Sequence, residues 1–140
     1  MSDKFFLDTN IVVYAFDQSS PVKLEIARRL IARGVEEKQA VVSYQVVQEF
    51  VNVALRRFES SMSQSELEEF LFEALFPMTE ISSSTTLVIE ALRMRSAHQL
   101  SWYDALIVAA ALQARCKILY SEDLQHGRHF GDLVVENPFL

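Results

Sequence analysis

Apolar residues fall along this chain in two alternating rhythms: short unbroken runs, and longer stretches at three-to-four-residue spacing. Residues 4–7 (KFFL) form the first run and predict a buried strand. Residues 11–17 predict a short helix. Ser20-Pro21 looks like an N-cap followed by proline at the first helical position, and Val22, Ile26, Ala27, Leu30 and Ile31 follow at helical spacing until Gly34, a plausible stop. Residues 40–42 predict a second strand. Ser43 can cap the next helix, whose apolar stripe is Val46, Val47, Phe50, Val51, Ala54, Leu55 and Phe58. A capping-box pattern, Ser63 with Glu66, opens a helix carrying Leu67, Phe70, Leu71, Ala74 and Leu75, which the spacing ends at Pro77. Residues 78–81 predict a third strand, and the hydroxyl cluster at 82–86 opens a helix to about His98. Ser101 caps an alanine-rich helix that reaches about Ala114 with Asp104 in its first turn. Residues 117–120 predict a fourth strand and 133–135 a fifth.

Short strands alternating with longer helices predict an α/β fold with a mainly parallel sheet and right-handed crossovers. In such folds ligands gather at the carboxyl ends of the strands. A length of 140 residues predicts one domain with a substantial core. No apolar run reaches membrane-spanning length, and the first residues lack the basic-then-apolar pattern of a signal peptide. The single cysteine, Cys116, can form no internal disulfide, which suits a cytoplasmic protein; it reads as a small packing residue. The net charge of −6, from 13 basic and 19 acidic residues, argues against holding nucleic acid by bulk electrostatics. A nucleic-acid role would require local basic patches or bound cations.

That requirement directs attention to the acids. Asp8 follows the first strand. Glu49 lies in the helix after the second, beside Val46, Phe50 and Val53. Asp104 opens the alanine-rich helix, and Asp123 follows the fourth strand. Strand ends and helix starts share one edge of a parallel sheet, so four acids far apart in sequence are placed to converge. Four ionised carboxylates in one pocket repel, so either some protonate or a cation holds them. An all-oxygen set without matched His or Cys favours Mg2+ or Mn2+ over zinc. Such an ion can activate water, bind a phosphate oxygen and steady a leaving group, as phosphodiester hydrolysis needs.

Each acid taken alone has a plainer explanation. Asp8 suits a turn or N-cap. Asp104 suits the positive end of a helix dipole. Asp123 suits a loop, with Glu122 competing for its role. Glu49 is the hardest to dismiss, because an acid flanked by apolar residues needs a partner. The joint placement of all four favours a site.

The stretches FFLDTNIVVYAF, SWYDALIVAAAL and LYSEDLQHG together resemble the PIN-domain family of nucleases, and more narrowly the VapC-type toxins of toxin–antitoxin pairs. The resemblance runs nearly end to end, to the terminal ENPF. It implies a parallel sheet flanked by helices, with four to five strands here. Carried over, the family's acidic site falls on Asp8, Glu49, Asp104 and Asp123. Asp8 and Asp104 would be the main metal ligands, Asp123 a direct or water-mediated one, and Glu49 would contact the metal or orient water. Thr9, Asn10 and Ser121 match polar positions that hydrogen-bond those carboxylates. The resemblance further implies an Mg2+- or Mn2+-dependent ribonuclease that leaves 5′-phosphate and 3′-hydroxyl ends, an antitoxin partner and a homodimer.

Two rival readings stand beside it. An aspartyl-phosphate phosphatase would also place an Asp after the first strand, as nucleophile, but the second acid of its usual pair is Asn10 here. A non-catalytic module would use the same pocket to hold a stabilising ion, and Phe70, Phe72 and Phe76, with Phe58, Met62 and Leu75 nearby, to bind a protein. The basic pairs Arg56-Arg57 and Arg93/Arg95, and the run Lys23, Arg28, Arg29 and Arg33, are read as helix-end and solvated charges ahead of phosphate contacts. His126 and His129 are read as incidental, in a flexible rim near the substrate. Trp102 is read as core, and Tyr103 is left open between packing and stacking on a base.

Overall fold

A computed structural model describes residues 3–140. Six strands form one sheet: β1 (Phe5–Leu7), β2 (Ala40–Ser43), β3 (Thr79–Ile81), β4 (Ile118–Tyr120), β5 (His129–Phe130) and β6 (Leu133–Glu136). Their order is β3-β2-β1-β4-β6-β5, parallel throughout except that β5 runs antiparallel to β6. The helices are α1 (Thr9–Tyr14), α2 (Pro21–Glu37), α3 (Tyr44–Arg57), α4 (Gln64–Phe70), α5 (Phe76–Met78), α6 (Thr85–His98) and α7 (Trp102–Gln113), with a π turn at Leu71–Leu75. β1 and β2 are buried at every residue, as a sheet covered on both faces requires. Their unbroken apolar runs reflect that double covering.

Four rings, Phe16, Phe50, Phe58 and Phe70, pack with centroids 4.8–6.3 Å apart between α1, α3 and α4. Phe50 is fully buried, and removing such a side chain from water contributes about 2–3 kcal/mol. Ala105, Ala109, Ala110 and Ala111 are also buried, letting α7 lie close against its neighbours. Cys116 is buried at the core, where desolvation pushes its thiol up to about 12; it packs, as expected, and has no nucleophilic character.

Two local expectations are corrected, at Gly34 and at Ser43. Gly34 does not stop α2; the helix continues to Glu37 and ends at Lys38, whose φ of 56° supplies the left-handed cap. The glycine serves packing instead, since a Cβ there would sit 2.2 Å from Ala40 Cβ on β2. The helical stretch expected to end at Pro77 ends one residue later, at Met78. The proline ring would clash with the carbonyl four residues back in a regular α-helix, and the wider π turn just before it lets the chain coil on to Met78. Ser43 sits at the N-cap of α3, but its buried hydroxyl makes no hydrogen bond. The capping box holds: Ser63 Oγ accepts from the Glu66 N–H at 3.1 Å, and Ser63 N–H donates to Glu66 Oε1 at 3.1 Å. The segment read as a flexible rim contributes β5, a two-residue edge strand too short to show a period.

Candidate active site

Asp8 and Ser121 meet because β1 and β4 are parallel neighbours in register, Leu7 opposite Tyr120. The ladder continues one bond further, from Asp8 N–H to the Tyr120 carbonyl at 3.0 Å. Beyond it the two side chains face each other: Ser121 Oγ donates to Asp8 Oδ2 at 2.8 Å, and Thr9 N–H donates to Asp8 Oδ1 at 2.8 Å. Asp8 is thereby the N-cap of α1 and is only 5% exposed. Burial pushes its carboxyl up to about 7, against the pull of the bonds from Ser121 and Thr9; the charges of Asp123 and Glu49 push the same way.

The other three acids line the same cleft, a space of about 590 Å³ at the carboxyl edge of the sheet. Thr9 Oγ1 donates to Glu49 Oε1 at 2.6 Å, and Gln45 Nε2 reaches Glu49 Oε2 at 3.4 Å. Asn10 Nδ2 donates to Asp123 Oδ2 at 3.0 Å, while Asn10 Oδ1 accepts from Glu122 N–H at 3.3 Å. Asp104 lies in the first turn of α7, where Ser101 Oγ accepts from its N–H at 3.3 Å. Thr9, Asn10 and Ser121 thus each bind one of the expected acids.

The four carboxylates share a cleft without closing on one point. Among the described residues, no three His, Cys, Asp or Glu side chains are grouped so as to hold one ion. Each of Asp8, Glu49 and Asp123 takes its own donor, from Ser121, Thr9 and Asn10. The donor set nevertheless fits a hard divalent cation. It is all oxygen, and Asp8, whose carboxyl burial pushes up, would gain from a positive neighbour that favours its charged form.

Glu122 and Asp123 go separate ways. Glu122 pairs with Lys23 Nζ and accepts from Tyr14 Oη at 2.6 Å. Burial raises the Glu122 carboxyl, but the bonds from Lys23 and Tyr14 outweigh it and hold it below the usual range. Lys23 also lies over the Tyr14 and Phe139 rings. Glu122 therefore fastens α1 and α2 to the loop after β4, and Asp123 keeps the position in front of Asn10.

The remaining basic run is structural. Arg28 Nε donates to the Ala15 carbonyl at 2.8 Å, Arg29 pairs with Glu25, and Arg33 lies over the Phe5 ring. His126 Nδ1 accepts from Asn137 N–H at 3.0 Å, and neither His126 nor His129 lines the cleft. Trp102 packs against the core, whereas Tyr103, 64% exposed, lines the cleft. Phe70 joins the core; Phe72 and Phe76 stay exposed, edge to face at 5.3 Å. Sequence reading missed Gln45 and Asn52 and undervalued Arg56, all lining the cleft on one face of α3. Their spacing from Glu49, four before and three and seven after, was the available signal.

Solved structures share this fold at low identity. A toxin–antitoxin complex from Klebsiella pneumoniae superposes with a TM-score of 0.68 at 19% identity, covering 96% of this chain and 98% of that one. The VapBC2 complex of Rickettsia felis, bound to a promoter DNA fragment, gives 0.68 at 19%, over 94% and 96%. VapC20 of Mycobacterium tuberculosis, a toxin that cleaves the sarcin–ricin loop, gives 0.63 at 18%, over 86% and 90%. No protein of curated function matches in sequence. The PIN domain model, however, matches from the first residue of β1 into β5, residues 5–129, and by that match the chain belongs to the PIN domain family.

Proposed function

We propose that this protein is a divalent-metal-dependent ribonuclease, its 140 residues a single PIN domain, acting as the toxin of a type II toxin–antitoxin pair. The observation that carries the reading is the cleft itself. Asp8, Glu49, Asp104 and Asp123 come from four distant stretches and line one space at the sheet edge where α/β folds hold ligands. Family membership and the toxin–antitoxin structures of the same fold support the same conclusion.

Asp8, Asp104 and Asp123 would hold Mg2+ or Mn2+, with Glu49 completing the set. Bound there, the ion would lower the pKa of a water and neutralise charge at the phosphate. The chain's own residues do the rest. Ser121 and Thr9 each donate to one oxygen of Asp8 and so orient the carboxyl that would ligate the ion. Thr9 and Gln45 donate to Glu49 at the cleft, where it would contact the ion or orient water. Asn10 steers Asp123. The same Asn10, uncharged and committed to the loop after β4, leaves no second acid for aspartyl-phosphate chemistry.

The substrate is RNA, as it is for the sarcin–ricin-cleaving relative. The exposed Phe72–Phe76 pair, next to a groove lined by Tyr44, Val51 and Leu55, supplies a protein-binding face for an antitoxin or a second copy. We place the protein in the cytoplasm, where RNA and antitoxin are found; among the described residues no helix is long and apolar enough to cross a membrane.

The test is cleavage of total RNA by the purified chain in Mg2+ or Mn2+, in chelator, and by Asp8→Asn and Asp104→Asn variants. The expected result is cleavage by the wild type with metal only, and loss of most turnover in both variants with the fold retained. Cleavage that ignores the chelator, or an Asp8→Asn protein as fast as wild type, overturns the proposal.

A further inference from the structure

The cleft is strongly acidic for a protein that must hold a polyanion. Asp8, Asp17, Glu49, Asp104, Glu122 and Asp123 all line it, against two basic residues, Arg56 and Arg57. The two arginines, adjacent in sequence, are in different circumstances. Arg57 donates to Asp17 Oδ2 at 3.2 Å and lies over the Phe58 ring, so it ties α3 to the turn after α1. Arg56 is exposed and, among the described residues, makes no hydrogen bond, ion pair or ring contact.

Arg56 also stands at a particular place on α3. Gln45, Glu49, Asn52 and Arg56 follow at helical spacing and all line the cleft, so one face of the helix runs from the acids to the arginine. Gln45 is occupied by Glu49 and by the Tyr103 carbonyl, at 3.4 and 3.5 Å. Asn52 and Arg56 are exposed with their donors uncommitted. Seven residues of α-helix separate Glu49 from Arg56, a rise of about 10 Å. A guanidinium at that distance does not meet the phosphate being cut. It meets one further along the same strand, with Asn52 between.

Resting on the ribonuclease reading, we propose that Arg56 is the phosphate anchor of a single-stranded RNA track along this face of α3, with Asn52 as the intermediate donor. A planar guanidinium with no competing carboxylate suits a phosphate, and a loaded metal at the acids removes the repulsion at the other end of the track. The role is substrate positioning: Arg56 holds the strand so that a neighbouring phosphodiester lies over the carboxylates.

The competing explanation is a favourable charge in the last turn of a helix, which predicts a small effect on stability and none on RNA. The test compares wild type, Arg56→Gln, Arg56→Lys and, as a control on the exposed face of α2, Arg29→Gln. Binding of a labelled single-stranded RNA oligonucleotide of mixed sequence is followed by anisotropy in Mg2+, from about 50 to about 200 mM salt. Cleavage kinetics and melting temperatures are recorded in parallel. Arg56→Gln is expected to weaken binding roughly tenfold and to lower the salt slope by about 0.7. It should also raise KM with kcat changed less than about twofold. Arg56→Lys should restore the salt slope, and Arg29→Gln should behave as wild type.

Arg56→Gln with unchanged Kd and salt slope overturns the inference while wild-type cleavage leaves the ribonuclease reading standing. A wild-type protein that neither binds nor cuts any RNA overturns both. Equal losses in Arg56→Gln and Arg29→Gln overturn the inference by reducing it to net charge.

Discussion

Ser121 Oγ donates to Asp8 Oδ2 across 2.8 Å, joining residues 113 positions apart at the ends of adjacent parallel strands. The same hydroxyl accepts from the N–H groups of Asp123 and Leu124, at 3.1 and 3.3 Å. One buried oxygen therefore fixes both the deepest acid of the cleft and the loop that carries another. Its three bonds exhaust what a hydroxyl commonly makes, so there is no slack in the arrangement.

Removing it in Ser121→Ala leaves a buried carboxyl and two backbone donors short of a partner. The expected cost is about 1–3 kcal/mol in urea unfolding. RNA cleavage should fall further than stability does, because Asp8 and Asp123 both lose their support. Unchanged unfolding together with unchanged cleavage would show that water replaces the hydroxyl at no cost.

Asp8 also predicts a pH dependence with a definite sign. Its carboxyl titrates near 7 in the fold and near its ordinary value of 3.8 once unfolded. Between those values the folded state holds a proton that the unfolded chain has released, so stability falls as pH rises through this window. The contribution is complete below 3.8 and gone above about 7, on the order of 4 kcal/mol across the range. Urea titrations in chelator between about pH 4 and about pH 8 should show the decline. Asp8→Asn should abolish it, and Mg2+, by favouring the ionised carboxylate, should flatten it.

Glu122 and Asp123 should separate in function although they are neighbours. Glu122→Gln loses a half-exposed ion pair with Lys23, a change of about 0–1 kcal/mol in stability, and should retain most cleavage. Asp123→Asn should retain stability and lose most cleavage. Parallel kinetics on the two proteins decide the matter, and the reverse ranking would transfer the role to Glu122.

Gly34→Ala tests the reason for that glycine. In an exposed helix the change stabilises by up to about 1 kcal/mol. Here the new methyl meets Ala40 Cβ at 2.2 Å, and separating α2 from β2 is expected to cost about 1–3 kcal/mol, leaving the variant less stable overall. A raised melting temperature would show that the helix shifts away freely.

Lys38→Gly should go the other way. Lys38 occupies the left-handed cap at φ 56°, where a side chain costs of order 1 kcal/mol that glycine avoids. A rise of a few degrees in melting temperature is the expected outcome; a fall would mean that the Lys38 side chain contributes more than its backbone strain costs.

Much of the fold was legible because period and burial leave direct traces in sequence. The runs Phe5–Leu7 of β1 and 40–42 of β2 are buried and apolar throughout because helices cover both faces, and the Ser63–Glu66 box is a local device that local reading finds. Gly34 misled for the same reason in reverse. It is ordinarily a helix stop, and here it serves a contact distant in sequence, the close approach of Ala40. The edge strand β5, two residues long, has no period to read.

The chain by itself determined the alternation of strands and helices, and with it the edge on which Asp8, Glu49, Asp104 and Asp123 would gather, because strand ends and helix starts follow from local patterning. Only the tertiary structure decided which donors Asp8, Glu49 and Asp123 take, that Glu122 turns to Lys23 and Tyr14 while Asp123 turns to Asn10, and that Arg57 is spent on Asp17 while Arg56 is left open. Those choices are made between side chains as far as 113 positions apart, over distances of about 3 Å. Spacing along one segment carries no information at that range.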